Sequence, residues 1–109
     1  MATEITTDSQ DGALSVGAAN ESGDYVLWQR SDAPVDSKEI HFEWDDQSNG
    51  GYDLVSECSI DRDGIHIVLS DNRLVHFYFH ALSKKDWNRF REHLEKMYSG
   101  SPRILDFYY

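Results

Sequence analysis

The chain has 109 residues, 39% hydrophobic and 28% charged, an ordinary globular balance that excludes wholesale disorder and suffices for one core without staples. One cysteine excludes an internal disulfide framework. The formal charge of -10 is concentrated, with nine acids against two basic residues between positions 36 and 63, so the field repels nucleic acid and attracts basic proteins.

No apolar run reaches the roughly 18 residues of a membrane span, and MATEITTDSQDG has neither a basic start nor a hydrophobic segment, so neither membrane insertion nor signal-directed secretion is expected; the single cysteine fits a reducing compartment and points to the cytoplasm. Residues 1–12, polar and acidic, read as a flexible lead, 13–102 as a single domain, and 103–109 as an apolar C-terminal extension.

Ala13 to Ala18 is a short strand with Leu14 and Val16 on one face, Asn20 to Asp24 a turn, and Tyr25 to Arg30 a strand that sets Val26, Trp28 and Arg30 opposite Tyr25, Leu27 and Gln29. Ser31 to Ser37, with Pro34, reads as a loop. Ile40, Phe42 and Trp44 then share a face, with His41 and Glu43 on the other. Asn49-Gly50 tolerates positive φ, which predicts a hairpin loop over Asp45 to Gly51 and a return strand burying Tyr52, Leu54, Ser56, Cys58 and Ile60.

Asp61-Arg62-Asp63-Gly64 predicts a turn with a left-handed glycine, followed by a strand with Ile65, Ile67 and Leu69 inward. Asp71 to Arg73 reverses the chain, and Leu74 to Phe79, bulky on both sides, reads as a central strand covered on both faces. Ser83 caps a helix, Asp86 stands three residues on, Leu82 can staple to Trp87, and Trp87, Phe90, Leu94, Met97 and Tyr98 form one apolar stripe ended near Gly100. The expected fold is α+β, an antiparallel meander of about five or six strands against one C-terminal helix, with 103–109 docking as an edge strand or in a groove.

Catalytic spacings are missing. His41, His66, His76 and His80 lie on or just past strands, yet no chelating motif appears, and His76 with His80 stand too far apart along a strand to share an ion. No nucleophile elbow or phosphate cradle occurs, and Cys58 reads as a buried hydrophobe. The reading is therefore of a non-enzyme with no metal and no cofactor. What stands out is an acid-rich surface with aromatic anchors: Glu43, Trp44, Asp45, Asp46, Tyr52, Asp53, Glu57, Asp61 and Asp63, suited to a basic protein partner. Phe107, Tyr108 and Tyr109 form a separate candidate for self-association.

The run FEWDDQSNGGYDLVSECSI, a following DG turn, an aliphatic strand and a closing S-x-x-D-W-x-x-F-x-x-x-L helix resemble small immunity proteins of bacterial polymorphic-toxin systems. More narrowly they resemble the family catalogued as immunity protein ten, through Glu43, Asp46, Gln47, Asn49, Gly50 and Gly51, over about Ala13 to Gly100. The resemblance implies a protein that binds a cognate toxin domain in the producing cell and blocks it. A toxin that attacks nucleic acid is basic, which suits the acidic surface. Two other classes stay open: an adaptor that dimerises through the tail and binds a peptide along a sheet edge, and a small ligand-binding protein or enzyme using histidines and carboxylates.

Overall fold

The computed structural model describes residues 2–10, 13–31, 40–100 and 102–108. The loop expected over Ser31 to Ser37 lies outside them except for Ser31, and Tyr109 lies outside them as well. Among these residues the chain is α+β, with nine strands in two sheets and one long helix near the C-terminus. The first sheet is an antiparallel meander of β1 (Glu4–Gln10), β2 (Ala13–Ala19), β3 (Tyr25–Ser31), β4 (His41–Trp44) and β5 (Asp46–Tyr52) in chain order. The second has the order β8-β7-β6-β9, in which β6 (Val55–Asp61), β7 (Gly64–Leu69) and β8 (Leu74–Tyr78) are antiparallel and β9 (Leu105–Tyr108) runs parallel to β6.

The period-2 alternation does what it dictates. Leu14, Val16 and Ala18 of β2, Val26 and Trp28 of β3, and Phe42 of β4 point into one interior, met from the second sheet by Cys58, Ile60, Ile65, Ile67, Leu69, Val75 and Phe77. The helix α1 (Lys84–Met97) lays Trp87, Phe90, Leu94 and Met97 into that interior, and Ser83 caps it by accepting the Asp86 N–H at 3.1 Å. Phe90 is fully buried, 5.9 Å from the Trp28 ring and 6.1 Å from Phe79. Trp87 donates its indole N–H to the Asp61 carbonyl at 3.0 Å, and Arg89 donates to the Ile5 carbonyl at 2.8 Å. One helix therefore grips both sheets.

Several expectations are corrected. Residues 4–10 are no loose lead: they pair along their whole length with β2, and alternation buries Thr3 and Ile5 while Glu4 and Asp8 stay wet. The segment expected as a hairpin loop is itself a strand, β5, and the reversal falls at Asp45, whose φ is 60°. The chain then crosses to the other sheet instead of returning beside β4. A bulge between Val55 and Glu57 shifts the inward set of β6, so Val55 is buried whereas Ser56 is exposed; Tyr52, which ends β5 in the first sheet, is exposed as well. β8 is an edge strand, with Leu74 and Tyr78 exposed. The helix ends on Tyr98 at φ -105°.

The tail docks as the edge strand β9, its Phe107 ring 6.2 Å from Trp87 and beneath the Arg91 guanidinium at 4.9 Å. No helix among the described residues is long and apolar enough to cross a membrane.

Gly64 is required for a different reason from the one expected. Its φ is not positive, but a Cβ there would stand 2.2 Å from the Phe77 carbonyl oxygen across the β7–β8 ladder. Gly64→Ala is expected to cost about 2–3 kcal/mol in urea unfolding by overpacking, and Phe90→Ala about 3–5 kcal/mol by emptying the junction of sheets and helix. A loss under 1 kcal/mol in either would contradict the packing described.

Candidate functional site

The outward face of β3 and β4 carries the most highly organised polar cluster among the described residues. Tyr25 extends the β3–β4 pairing to the Asp45 turn: the Asp45 N–H donates to the Tyr25 carbonyl at 3.0 Å, and the Tyr25 N–H donates to Asp45 Oδ1 at 3.0 Å. The same register brings the Tyr25 hydroxyl to Glu43, where it donates to Oε2 at 2.5 Å. His41, two residues before Glu43 and so on the same face, meets Oε1 at 3.0 Å. Glu43 is only 9% exposed. Space for it is made by Gly50, its cross-strand neighbour, since a Cβ there would lie 2.9 Å from the Glu43 Cβ. Tyr52 closes the cluster with its ring edge-on to His41 at 5.3 Å.

Glu43 is therefore an internally satisfied carboxylate, not a free charge of the acid-rich surface expected from the sequence. The Tyr25 hydroxyl and then His41 hold its carboxyl below the usual carboxylate range. The same bond, with burial and the carboxylates around it, pushes the Tyr25 hydroxyl up to about 12.

The free charge lies beside this cluster, along β5. Among the described residues no strand covers the outer edge of β5. Asp45 and Asp53 stand at its two ends, both exposed and both left-handed, with φ 60° and 57°. Such a backbone is uncommon for any residue but glycine, and Asp is among the few side chains that tolerate it. Asp46 is exposed, and its Oδ1 accepts the Ser48 N–H at 2.9 Å, which holds its carboxyl below the usual range. Asn49 donates its side-chain amide to the Trp44 carbonyl at 3.2 Å and so shapes the bulge between Glu43 and Trp44. Tyr52 is 67% exposed.

The other expected residues divide. Trp44 turns inward, stacked 5.7 Å from Phe42 with the Arg73 guanidinium 5.7 Å over its ring. Glu57, Asp61 and Asp63 belong to the second sheet and its first turn, where Asp61 Oδ1 accepts the N–H groups of Asp63 and Gly64 at 2.8 and 3.0 Å. Asp45, Asp46, Tyr52 and Asp53 thus form the acidic group on one strand edge. Of the tail, Phe107 is engaged with the helix, whereas Tyr108 is 63% exposed. Cys58 is buried, which pushes its thiol up and leaves no thiolate at neutral pH.

Sequence reasoning missed Tyr25 and His41 as the partners of Glu43. The His41-x-Glu43 spacing was a visible signal; the register that adds Tyr25 was not. No protein-family model, curated protein or solved structure matches the chain.

The Tyr25–Glu43 bond makes opposite demands at the two ends of the pH scale. Glu43 has a depressed folded value, so its contribution to stability is complete above the unfolded value near 4.3 and is lost as pH falls through the folded one. Tyr25 has a raised folded value, so its contribution is complete below about 10 and is lost as pH rises through about 12. Tyrosine-specific NMR titration is expected to place Tyr25 near 12 in the native chain and back toward about 10 in Glu43→Gln. An unchanged midpoint in that variant would contradict the assigned bond.

Proposed function

We propose that this chain is a cytoplasmic, non-enzymatic immunity protein of a bacterial polymorphic-toxin system, which binds a cognate toxin domain through the acidic edge of β5 and neutralises it during interbacterial competition. The observation that carries the reading is the pair of left-handed aspartates, Asp45 and Asp53, bracketing an uncovered strand edge that also presents Asp46 and Tyr52. Backbone in this region is maintained where the surroundings over-determine it, as at binding surfaces. The exposed carboxylates speed encounter with a basic surface, and Tyr52 supplies an aromatic that the partner desolvates. The Tyr25–Glu43–His41 cluster holds Tyr52 and the strand in place, so this edge meets its partner already organised. A toxin built to bind phosphates presents the complementary charge, and an inhibitor seated there competes with its substrate.

Asp45→Asn with Asp46→Asn removes both charges while keeping side-chain oxygens for the Tyr25 and Ser48 N–H groups, and Asn tolerates the left-handed backbone at position 45. Against a cognate toxin domain, the variant is expected to associate about tenfold more slowly at low salt. Combined with Tyr52→Ala it is expected to lose protection of toxin-expressing cells. Full protection and an unchanged association rate in a normally folded variant would overturn the reading.

A further inference from the structure

The outer face of the second sheet carries a pair of imidazoles that the proposed function does not use. β7 and β8 set His66 directly opposite His76, so both side chains leave the sheet on one side. Their Nδ1 atoms lie 2.8 Å apart and their ring centroids 5.0 Å apart. Two imidazole nitrogens at this distance share one proton between them: one donates N–H and the other must present a lone pair. Asp61 decides which. Its Oδ2 stands 3.3 Å from Nε2 of His66, an ion contact whose charge favours the ring's hydrogen on Nε2 and the lone pair on Nδ1. The carboxylate is itself fixed, because its other oxygen accepts the Asp63 and Gly64 N–H groups.

We infer that His66 and His76 form a chelating site for a first-row divalent cation that prefers imidazole nitrogen, Ni2+ or Zn2+, with the ion taking the place of the shared proton, which passes to Nε2 of His76. A carboxylate on the far nitrogen of a histidine is the usual means of orienting a metal ligand and raising its basicity. The distances fit. With ring nitrogens about 1.2 Å from their centroids and metal–nitrogen bonds of about 2.0–2.1 Å, centroids 5.0 Å apart meet at one ion with an angle of about 100°. Turning each ring about its own axis reaches that geometry without moving the ladder. Tyr78, stacked 6.4 Å from His76 and edge-on to His66 at 6.5 Å, limits the rings to small rotations.

Among the described residues no group of three or more His, Cys, Asp or Glu side chains converges on one point, so the site is a two-imidazole chelate, and its remaining positions are open. Those positions face a groove of about 260 Å³ whose walls include Glu57, Ser59, Arg103 and Asp106. Water or an incoming carboxylate fills them. Binding the ion would tie β7 to β8 beside the exposed Leu74 and Tyr78.

The test titrates the full, untagged chain with Ni2+ or Zn2+ alone, followed by calorimetry. One equivalent is expected to bind, with His66→Gln and His76→Gln each weakening it at least tenfold and His93→Gln leaving it unchanged, because the His93 Nδ1 lies on its own helix, 2.8 Å from the Arg89 carbonyl. Paramagnetic broadening of amide signals by Ni2+ in the unaltered chain reports independently of how the variants fold, and is expected to centre on 66 and 76. Undiminished binding in both folded histidine variants, broadening centred elsewhere, or no saturable binding of either ion would overturn the site.

Discussion

The fold depends on Trp87 and Phe90 reaching both sheets from one turn of helix. Phe90 lies edge-on to Trp28 of the first sheet and to Phe79 at the end of the second, while the Trp87 indole is tied to Asp61 and packed on Phe107. Among the described residues neither sheet ladders onto the other, and the two share one interior because this stripe and the facing strands close it together. Burying each large aromatic contributes about 1.5–3 kcal/mol, which is a sizeable part of the net stability of a domain of this size. Two further seams finish the closure. The Thr3 and His80 backbones and the Asn20 side chain join β1 to the end of β8, and Ser70 reaches the carbonyls of Asp53 and Leu54 where the chain crosses between sheets.

That construction explains where polar chemistry collects. The interior admits almost no charge, so carboxylates lie on outer faces and edges, and those that approach burial are bound. Glu43 has Tyr25 and His41; Asp61 has its own turn and His66. The β5 edge is different. Its bulge, its charges and its glycines are the devices by which an edge strand avoids pairing with other chains.

How much was legible in the sequence follows from which contacts are local. Alternation in Val26 to Arg30, Ile40 to Trp44 and Ile65 to Leu69, and the Ser83 cap with its Trp87 to Tyr98 stripe, depend on neighbours along the chain, and the structure shows them as read. β1 escaped because Ile5 is the one large apolar residue on its inner face, and pairing with β2 supplies the rest. β5 escaped because Asp, Asn and Gly are poor strand formers, and only the ladder to β4 makes them one. Gly50 and Gly51 suggested a turn; Gly50 instead clears space for Glu43. The Tyr25–Glu43 bond depends on register, which a strand does not encode by itself. The His66–His76 pair was within reach, since the two lie symmetrically about Asp71 in the reversal the sequence did predict.

The α1 helix joins the two sheets into one cooperative unit, and among the described residues no strand covers the β5 edge. Residue-resolved native-state hydrogen exchange tests it most directly. The ladder amides of β2 and β3 and those of β6 and β7 are expected to share one slowest class, opening only with global unfolding, while β5 amides outside the β4 ladder exchange far faster. Separate opening free energies for the two sheets, or β5 amides uniformly as protected as the core, would contradict it.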